Sequence, residues 1–477
     1  MALPEGGGPL FLTIARALID DIRKGRLRPG DPLPGYRTLA ESLDVSRNTV
    51  LAAYQELIAE GWVVSRPGGG SFVADPLPET LPGIASRNAP TAPIGFDLEG
   101  PSEPAAHPLR RGREVLAAMS GVPDARLLPM AAMARAYRGA MARIAKEGPV
   151  PEDPKGHLRL RTALASMLSS LRGFPADPAN LLVSRGSQMA LFLIAQALLR
   201  PGDRIAVEAL GQRRTWEAFE RSGARLMPLP VDAEGLVPEA LEQLLAQGPL
   251  RALYLTPQHQ YPTTATLAEP RRARILALAQ KHRFAIIEHD YDAEFHYEGH
   301  PVMPLAAADR AGCVIFVGTL SKIFTSSVRL GFVHGPRPLI DRLSELRNAV
   351  DHQGDPALEL ALADLMEEGE LQRHVHRMRR TYHARRDLLA QALARELGGA
   401  ISFGVPHGGM AFWIRAADGI DVDAWAVRAL DRGVAFRPAR EFEFQRRALP
   451  FLRLGFTSLR EGEIQEAALR LARALEA

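Results

Sequence analysis

The chain has 477 residues, too many for one ordinary hydrophobic core, so we expect about two or three domains. Hydrophobic residues make up 46% of the sequence and charged residues 24%, which is the composition of a globular protein. No apolar run is long enough to cross a bilayer, and the first ten residues lack the basic-then-apolar order of a signal peptide. The lone Cys313 excludes an intramolecular disulfide and a cysteine metal cluster. We therefore expect a cytoplasmic protein without a membrane partner or a metal.

The first 75 residues predict a small helical domain that ends in a hairpin. Their eight basic and nine acidic residues leave the segment without a basic excess, so pattern rather than charge must identify it. Apolar residues at helical spacing predict helices over 9–24, 36–43 and 47–60, with Ser46 as the N-cap of the third. Two strands are predicted over 62–65 and 71–74, around a glycine-rich tip. Helix, helix, turn, helix and hairpin is the order of a winged helix-turn-helix.

The start of the third helix carries hydrogen-bonding side chains suited to base edges. Ser46, Arg47, Asn48 and Thr49 lie together there, where free backbone N–H groups and the helix dipole also favour phosphate. At the hairpin tip, Arg66 stands beside glycines that would let the backbone approach a minor groove. The alternative is a helical domain whose polar helix start faces only water.

Residues 33–74 resemble the GntR-type winged helix over nearly its whole length, and this resemblance favours DNA binding. It implies DNA contacts from Arg37, Ser46, Arg47, Thr49 and the wing around Gly69. Arg47 is the residue most expected to reach a base edge.

The rest of the chain predicts a linker and a larger domain. Residues 76–94 hold five prolines and little apolar periodicity, which is typical of a semi-rigid linker. From about residue 95, strand-like runs alternate with helical ones, a pattern that predicts a mostly parallel α/β sheet. From about 350, helices followed by GGMAFWIR, GVAFRP and FLRLGF predict a smaller α+β subdomain. We thus expect domains over 1–75, 76–94 and 95–477.

Four places in the larger domain carry candidate chemistry. Lys322 follows a buried strand, where its amine could form a Schiff base with an aldehyde cofactor, and Arg329 lies seven residues on. Ser187 and Gln188 open a helix after a strand, as in a phosphate site. Tyr291 lies just past another buried strand, and Arg453 is expected at the end of a late apolar strand, where its guanidinium could bind a carboxylate. Each has an ordinary alternative when taken singly: a surface lysine, a common turn, a core tyrosine and a structural ion pair.

In this order and at these separations, the four places resemble fold-type I enzymes that use pyridoxal 5'-phosphate (PLP). Together with the winged helix they resemble the MocR subgroup of GntR regulators, over almost the whole chain. The resemblance implies that Lys322 is the Schiff-base lysine and that Tyr291 lies near the phenolic oxygen of PLP, with Arg453 on an amino-acid carboxylate. The residues implied at the phosphate are Ser187, Gln188, Thr319 and Arg329. The segment LTPQHQYPTTATL matches a family loop at His259, Gln260, Tyr261 and Pro262.

The sequence departs from the family pattern at three positions. His289 stands where the family has the acid that pairs with the pyridine nitrogen, although Asp290 is its neighbour. Gln212 stands where an aromatic residue would stack on the ring, and Thr264 replaces an expected glycine. A carboxylate keeps the pyridine nitrogen protonated, which makes PLP a strong electron sink, and a histidine need not do so.

Three functions remain open on this evidence. The first is a homodimeric DNA-binding regulator whose PLP domain detects an amine or amino acid rather than converting it. The second is a competent aminotransferase with an appended DNA-binding domain, and the third is a regulator whose larger domain has lost PLP. A visible absorption spectrum separates the third function from the others, and single-turnover kinetics separate the first two.

Overall fold

The computed structural model describes residues 8–78, 115–118, 121–148, 151–325 and 327–476. The chain divides into two compact units, and the division falls in a stretch outside these ranges. Most of the predicted linker over 76–94 also lies outside the described residues. The domain boundaries given above therefore stay a prediction.

Over residues 8–78, the first unit has three helices followed by a hairpin. Its elements are α1 (Leu10–Arg23), α2 (Tyr36–Leu43), α3 (Arg47–Ala59), β1 (Val63–Arg66) and β2 (Gly70–Val73). The winged helix-turn-helix order is confirmed, but β1 lies one residue later than predicted and β2 one residue earlier. The reason is that Arg66 pairs with Gly70 and closes the hairpin, so the wing tip shortens.

The core of this unit explains why the pattern could be predicted. Ile14, Leu18 and Ile22 are buried along one face of α1, at the spacing of an amphipathic helix. Tyr54 of α3 is buried as well, and its hydroxyl donates to the Pro34 carbonyl at 2.7 Å. That bond ties α3 to the segment before α2.

The second unit contains the remaining strands and helices. Its strands are β3 (Leu116–Ala117), β4 (Leu181–Ser184), β5 (Arg204–Glu208), β6 (Arg225–Leu229), β7 (Val231–Asp232), β8 (Gly235–Leu236), β9 (Ala252–Leu255), β10 (Ala285–Asp290), β11 (Val314–Thr319), β12 (Gly331–His334), β13 (Ile401–Phe403), β14 (Ala411–Ala416), β15 (Val434–Ala435), β16 (Arg437–Pro438) and β17 (Phe451–Gly455). Its helices are α4 (Met130–Glu147), α5 (Leu158–Leu171), α6 (Ser187–Leu198), α7 (Arg213–Glu220), α8 (Pro238–Ala246), α9 (Glu269–His282), α10 (Leu305–Ala308), α11 (Arg337–Asp351), α12 (Pro356–Glu367), α13 (Glu370–Leu397), α14 (Val422–Asp431) and α15 (Glu461–Arg473). Within the described ranges, none of the helices is both long and apolar enough to cross a membrane.

Seven strands form the main sheet, in the order β4-β12-β11-β10-β9-β5-β6. Among the described strands of this sheet, β12 alone runs antiparallel to its neighbours, so the prediction of a mostly parallel α/β sheet is confirmed. His289 of β10 lies opposite Val317 of β11, and Asp290 opposite Gly318. Because the carboxyl ends of these strands meet at one sheet edge, the loops after them come together there, which is where α/β sheets bind ligands.

The smaller subdomain has a four-stranded antiparallel sheet, β13-β14-β17-β16. The predicted strand GVAFRP is divided in the structure. Val434 and Ala435 pair in parallel with Leu116 and Ala117, whereas Arg437 and the residue after it join β17. The α+β prediction is confirmed, and the pairing with β3 brings two residues from far earlier in the chain beside this subdomain.

Candidate functional site

At the start of α3 the N-cap is formed, and Ser46, Arg47 and Asn48 are exposed, whereas Thr49 is half-buried. Ser46 Oγ accepts from the Thr49 backbone N–H at 3.1 Å, and the two hydroxyl oxygens lie 2.8 Å apart. The cap therefore orders this end of the helix, while the Arg47 and Asn48 side chains extend into solvent. Arg37 of α2 is also exposed.

The wing holds its arginine in a defined position. The Arg66 guanidinium lies 4.5 Å from the centroid of the Phe72 ring, as in a cation–π contact. Gly69 N donates to the Arg66 carbonyl at 3.0 Å, and Gly68 and Gly70 have φ of 74° and 92°. These backbone angles favour glycine, so the glycine-rich tip is a requirement of the turn.

Lys322 lies in the loop after β11, with its amine turned inward. Its Nζ donates to the Gly121 carbonyl at 2.6 Å. Burial lowers the pKa of the Lys322 amine to about 8; nearby Asp292 opposes this effect and Arg453 adds to it. A larger neutral fraction makes the amine a better nucleophile toward an aldehyde.

The start of α6 and Arg329 lie together, as expected for a phosphate site. A Cβ on Gly186, the residue before α6, would stand 3.2 Å from the Arg329 guanidinium carbon. Arg329 Nη2 donates to the Arg185 carbonyl at 3.1 Å, which fixes the guanidinium beside the helix N-terminus. A Cβ on Gly331 would lie 2.7 Å from Ser187 N, so only glycine allows β12 to approach α6 this closely.

Two of the predicted phosphate residues use their side chains within the protein. Thr319 Oγ1 donates to the Leu330 carbonyl at 3.1 Å and accepts from Ser321 N at 3.1 Å. Gln188 Nε2 donates to the Arg214 carbonyl at 2.7 Å. The better placed phosphate donors are therefore the backbone N–H groups at the start of α6, the Ser187 hydroxyl and the Arg329 guanidinium.

His289 is buried at the carboxyl end of β10. Its Nδ1 lies 3.0 Å from the Tyr254 hydroxyl, whereas no described residue is within hydrogen-bonding reach of its Nε2. Burial lowers the pKa of His289 to about 4, and the positive charge of Lys322 acts in the same direction. The imidazole is therefore neutral at pH 7.

The two acids that flank His289 face away from it and are bound elsewhere. Alternation along β10 places Glu288 and Asp290 on the opposite side of the strand. Asp290 Oδ2 accepts from Arg172 Nε at 2.9 Å. Glu288 accepts from the backbone N–H groups of Leu305 and Ala306 at 2.7 and 2.9 Å, at the start of α10. Neither acid can take the place of His289 without a shift of the strand.

Tyr291 is buried, and its hydroxyl donates to the His259 carbonyl at 2.7 Å. The His259 side chain in turn bonds through Nδ1 to Asp292 Oδ1 at 2.7 Å. Tyr291 is thus tied to the loop that matches the family pattern. In this loop Thr264 has φ of 63°, a left-handed conformation that accounts for the glycine expected there.

Arg453 lies in the middle of β17 rather than at its end as predicted, because the strand continues to Gly455. It is fully buried, and only part of its hydrogen-bonding capacity is used. Its Nη1 donates to the Pro262 carbonyl, and its guanidinium lies 4.7 Å from the Tyr261 ring centroid. No described residue bonds to its Nε or Nη2. A buried guanidinium with unused donors is suited to a ligand carboxylate.

Gln212 stands at the N-cap position of α7 and makes no capping bond. It is half-buried in the loop after β5. An amide gives less stacking area to a pyridine ring than an aromatic side chain.

These groups surround one place, and they fit PLP. A Cβ on Gly121 would lie 3.6 Å from Lys322 Nζ and 3.9 Å from Arg453 Nη2, so the two cations are neighbours. The unpaired Nε2 of His289, the inward amine and the arginine-backed helix start match the ring nitrogen, aldehyde and phosphate of that cofactor.

Two family profiles match the sequence. The profile of aminotransferase class I and II matches residues 127–471, and that of the bacterial regulatory proteins of the gntR family matches residues 10–73. The probable rhizopine catabolism regulatory protein MocR of Rhizobium meliloti is 31% identical, over 91% of this chain and 87% of the relative. The chain belongs to the MocR subgroup of GntR-type regulators. Its relatives are transcription regulators that carry an aminotransferase-like domain. The aminotransferase fold implies PLP binding in the family.

A second regulator and a solved aminotransferase structure are also similar to this MocR-type chain. The HTH-type transcriptional regulator TauR of Rhodobacter capsulatus is 32% identical, over 99% of this chain and 98% of the relative. The crystal structure of a multiple substrate aminotransferase from Thermococcus profundus is similar with a TM-score of 0.72 and 28% identity, over 76% of this chain and 92% of that one.

Several residues of the site escaped sequence reasoning. Tyr254, the partner of His289, lies in β9, whose sequence predicts only a buried strand, and Gly121 lies before α4. Asp292 could have been noticed, because it follows Tyr291 directly, but its partner His259 is 33 residues away. Side-chain pairing at such separations leaves no periodic signal.

Proposed function

We propose that this regulator binds DNA through its winged helix and senses an amine or amino acid through PLP held in the larger domain. The observation that carries the proposal is His289, a buried neutral group where the family has an acid. Lys322, in contrast, stands where the family has its Schiff-base lysine, and its pKa is lowered. This combination favours holding a ligand over converting it.

Each part of the site has a role in this proposal. The start of α6, Ser187 and Arg329 would hold the phosphate, and Lys322 would bind the aldehyde carbon. When bound, PLP supplies an electrophilic carbon for amines and a ring that draws electrons from them. Arg453 would orient an amino acid by its carboxylate, and the burial around Tyr291 would limit access of water.

Turnover asks more of the protein than binding does. A protonated pyridine nitrogen accepts charge from the reacting carbon, and a neighbouring carboxylate holds that proton in place. The neutral His289 carries no charge for this purpose, and Asp290 is bound to Arg172 on the other side of the strand. We therefore infer slow conversion and a long-lived ligand complex, which suits a sensor.

The experiment is a visible absorption spectrum of the purified protein, before and after a panel of amines and amino acids, with operator binding measured on the same samples. We expect cofactor absorbance, a spectral change with the effector and a matching change in DNA affinity. Rapid loss of the cofactor's aldehyde form would favour an aminotransferase, and absence of any cofactor band would favour a dimerisation domain without PLP.

Arg47→Ala is expected to weaken specific operator binding while the protein stays folded. A bidentate contact from arginine to guanine is worth about 1–3 kcal/mol, and Arg47 is exposed at the capped start of α3. The measurement is affinity for operator and for unrelated DNA at one salt concentration. Arg16→Ala is the matched control, since it removes the same charge from the exposed side of α1. Equal operator affinity in wild type and Arg47→Ala would contradict the assignment.

We further propose a homodimer that reads repeated DNA half-sites, because closed twofold symmetry matches paired half-sites. Sedimentation at micromolar concentration measures the state directly. A monomer under those conditions would refute this prediction.

A further inference from the structure

A second arginine stands beside Arg453 on the sheet of the smaller subdomain. Arg437 of β16 lies directly opposite Arg453 of β17 in the antiparallel register. Side chains of directly opposite residues project from the same face, with Cβ atoms about 5 Å apart. Arg453 reaches Pro262 and Tyr261 from that face. The side chain of Arg437 therefore leaves the sheet on the face that carries Arg453.

The charge around Lys322 supports this placement. The pKa of its amine is lowered by the positive charges of both Arg453 and Arg437, after burial, and it is raised only by Asp292. That carboxylate is already bonded to His259. Two guanidinium groups and one carboxylate thus act on the Lys322 amine, and the carboxylate is already engaged.

Arg437 is weakly held by the protein. The partner that the structure gives it is Glu441, with Arg437 Nη1 at 3.6 Å from Oε2, longer than a hydrogen bond. The two side chains are 38% and 47% exposed, so this pair is worth little and can separate. The guanidinium is free to turn to a stronger anionic partner.

Aromatic side chains continue the same row. Trp413 of β14 lies opposite Arg453 on the other side of β17, and it stacks on Phe451 with centroids 5.3 Å apart. Phe442 contacts both Trp413 and Tyr261 edge to face. The aromatic side chains would thus form one apolar side of a ligand site, and the guanidinium groups of Arg453 and Arg437 would lie at its edge.

We propose that the effector is an amino compound with two anionic groups, an amino dicarboxylic acid in the first instance, with one carboxylate on Arg453 and the second on Arg437. This inference rests on the proposed sensing function and narrows it to a ligand class. Neutral amino acids would bind through Arg453 alone.

The experiment titrates the PLP-loaded, full-length protein with aspartate, glutamate and 2-aminoadipate, each beside a neutral amino acid of matched chain length. The readouts are the visible spectrum and the thermal midpoint. We expect one of the acids to bind about ten- to a hundredfold more tightly than its neutral match, as for a charge-assisted bond. Arg437→Gln should remove that preference, so that each acid binds no more tightly than its neutral match. Glu441→Gln, the matched control, should keep or strengthen the preference, and Arg437→Lys should keep part of it.

The outcomes separate this inference from the function on which it rests. If acidic and neutral amino acids change the spectrum equally, or if Arg437→Gln keeps the preference, the second anionic site is wrong and the sensing function stands. If no amino compound changes the spectrum or the thermal midpoint, the sensing function fails and the inference fails with it. Should Arg437→Gln not fold, the wild-type series and Arg437→Lys still decide the ligand class.

Discussion

Lys322→Ala is expected to abolish the visible absorbance of the purified protein. The band requires a covalent link between the cofactor and an amine, and Lys322 Nζ is the inward amine next to Arg453 and His289. Its pKa of about 8 leaves a useful neutral fraction at neutral pH. Borohydride reduction followed by peptide mapping gives a second readout, since it should fix the cofactor on the peptide that contains Lys322 in the wild type.

Lys281→Ala is the matched control for this experiment. Lys281 is exposed in the last turn of α9, so its loss should change neither the band nor the thermal midpoint. If Lys322→Ala keeps the visible band, or if the wild-type cofactor maps to another peptide, the assignment of Lys322 is wrong. A wild-type protein without any band would contradict PLP binding itself.

Local patterns predicted most of the fold. The helix Tyr36–Leu43 and the Ser46 cap agree with the sequence because each is decided within a few residues, by apolar spacing or by one side chain bonding three residues on. The mostly parallel sheet followed from alternating strand-like and helical runs. The antiparallel β12 between β4 and β11 did not, because strand order depends on contacts between distant segments.

In the candidate site, too, local positions could be predicted from the sequence, whereas contacts between distant residues could not. Lys322 follows a recognisable strand and Arg453 lies in one, so their positions could be predicted from the resemblance. The bond from Arg172 to Asp290 joins residues 118 positions apart, and that bond decides which way the acid faces. Sequence alone left open whether Asp290 could replace His289; the alternation of β10 and this ion pair argue against it.

The thermal stability of the chain should also depend on that ion pair. Arg172 has its side chain buried between Asp290 and Glu294, at 2.9 and 2.6 Å. Removing one partner of a buried pair leaves an uncompensated charge. We therefore expect the loss of either Asp290 or Glu294 as a carboxylate to lower the thermal midpoint.

His289→Asp is expected to raise the rate of transamination with a simple amino acid while PLP retention changes little. The new carboxylate would lie on the same side of β10 as the His289 ring, and its negative charge would favour a protonated ring nitrogen. A preorganised electrostatic contact of this kind is worth about two orders of magnitude in rate. Retention should persist because Lys322, Arg329 and the start of α6 are untouched.

Two further variants make the test of His289 decisive. His289→Asn is the matched control, since it changes the side chain without adding charge, and its rate should stay at the wild-type level. Asp290→Asn should lower the thermal midpoint through the lost partner of Arg172 but leave the rate unchanged. If the wild type transaminates rapidly and Asp290→Asn slows it, the acid next to His289 supplies the charge after all. In that case the protein is an aminotransferase, and the explanation of sensing through a neutral His289 is wrong.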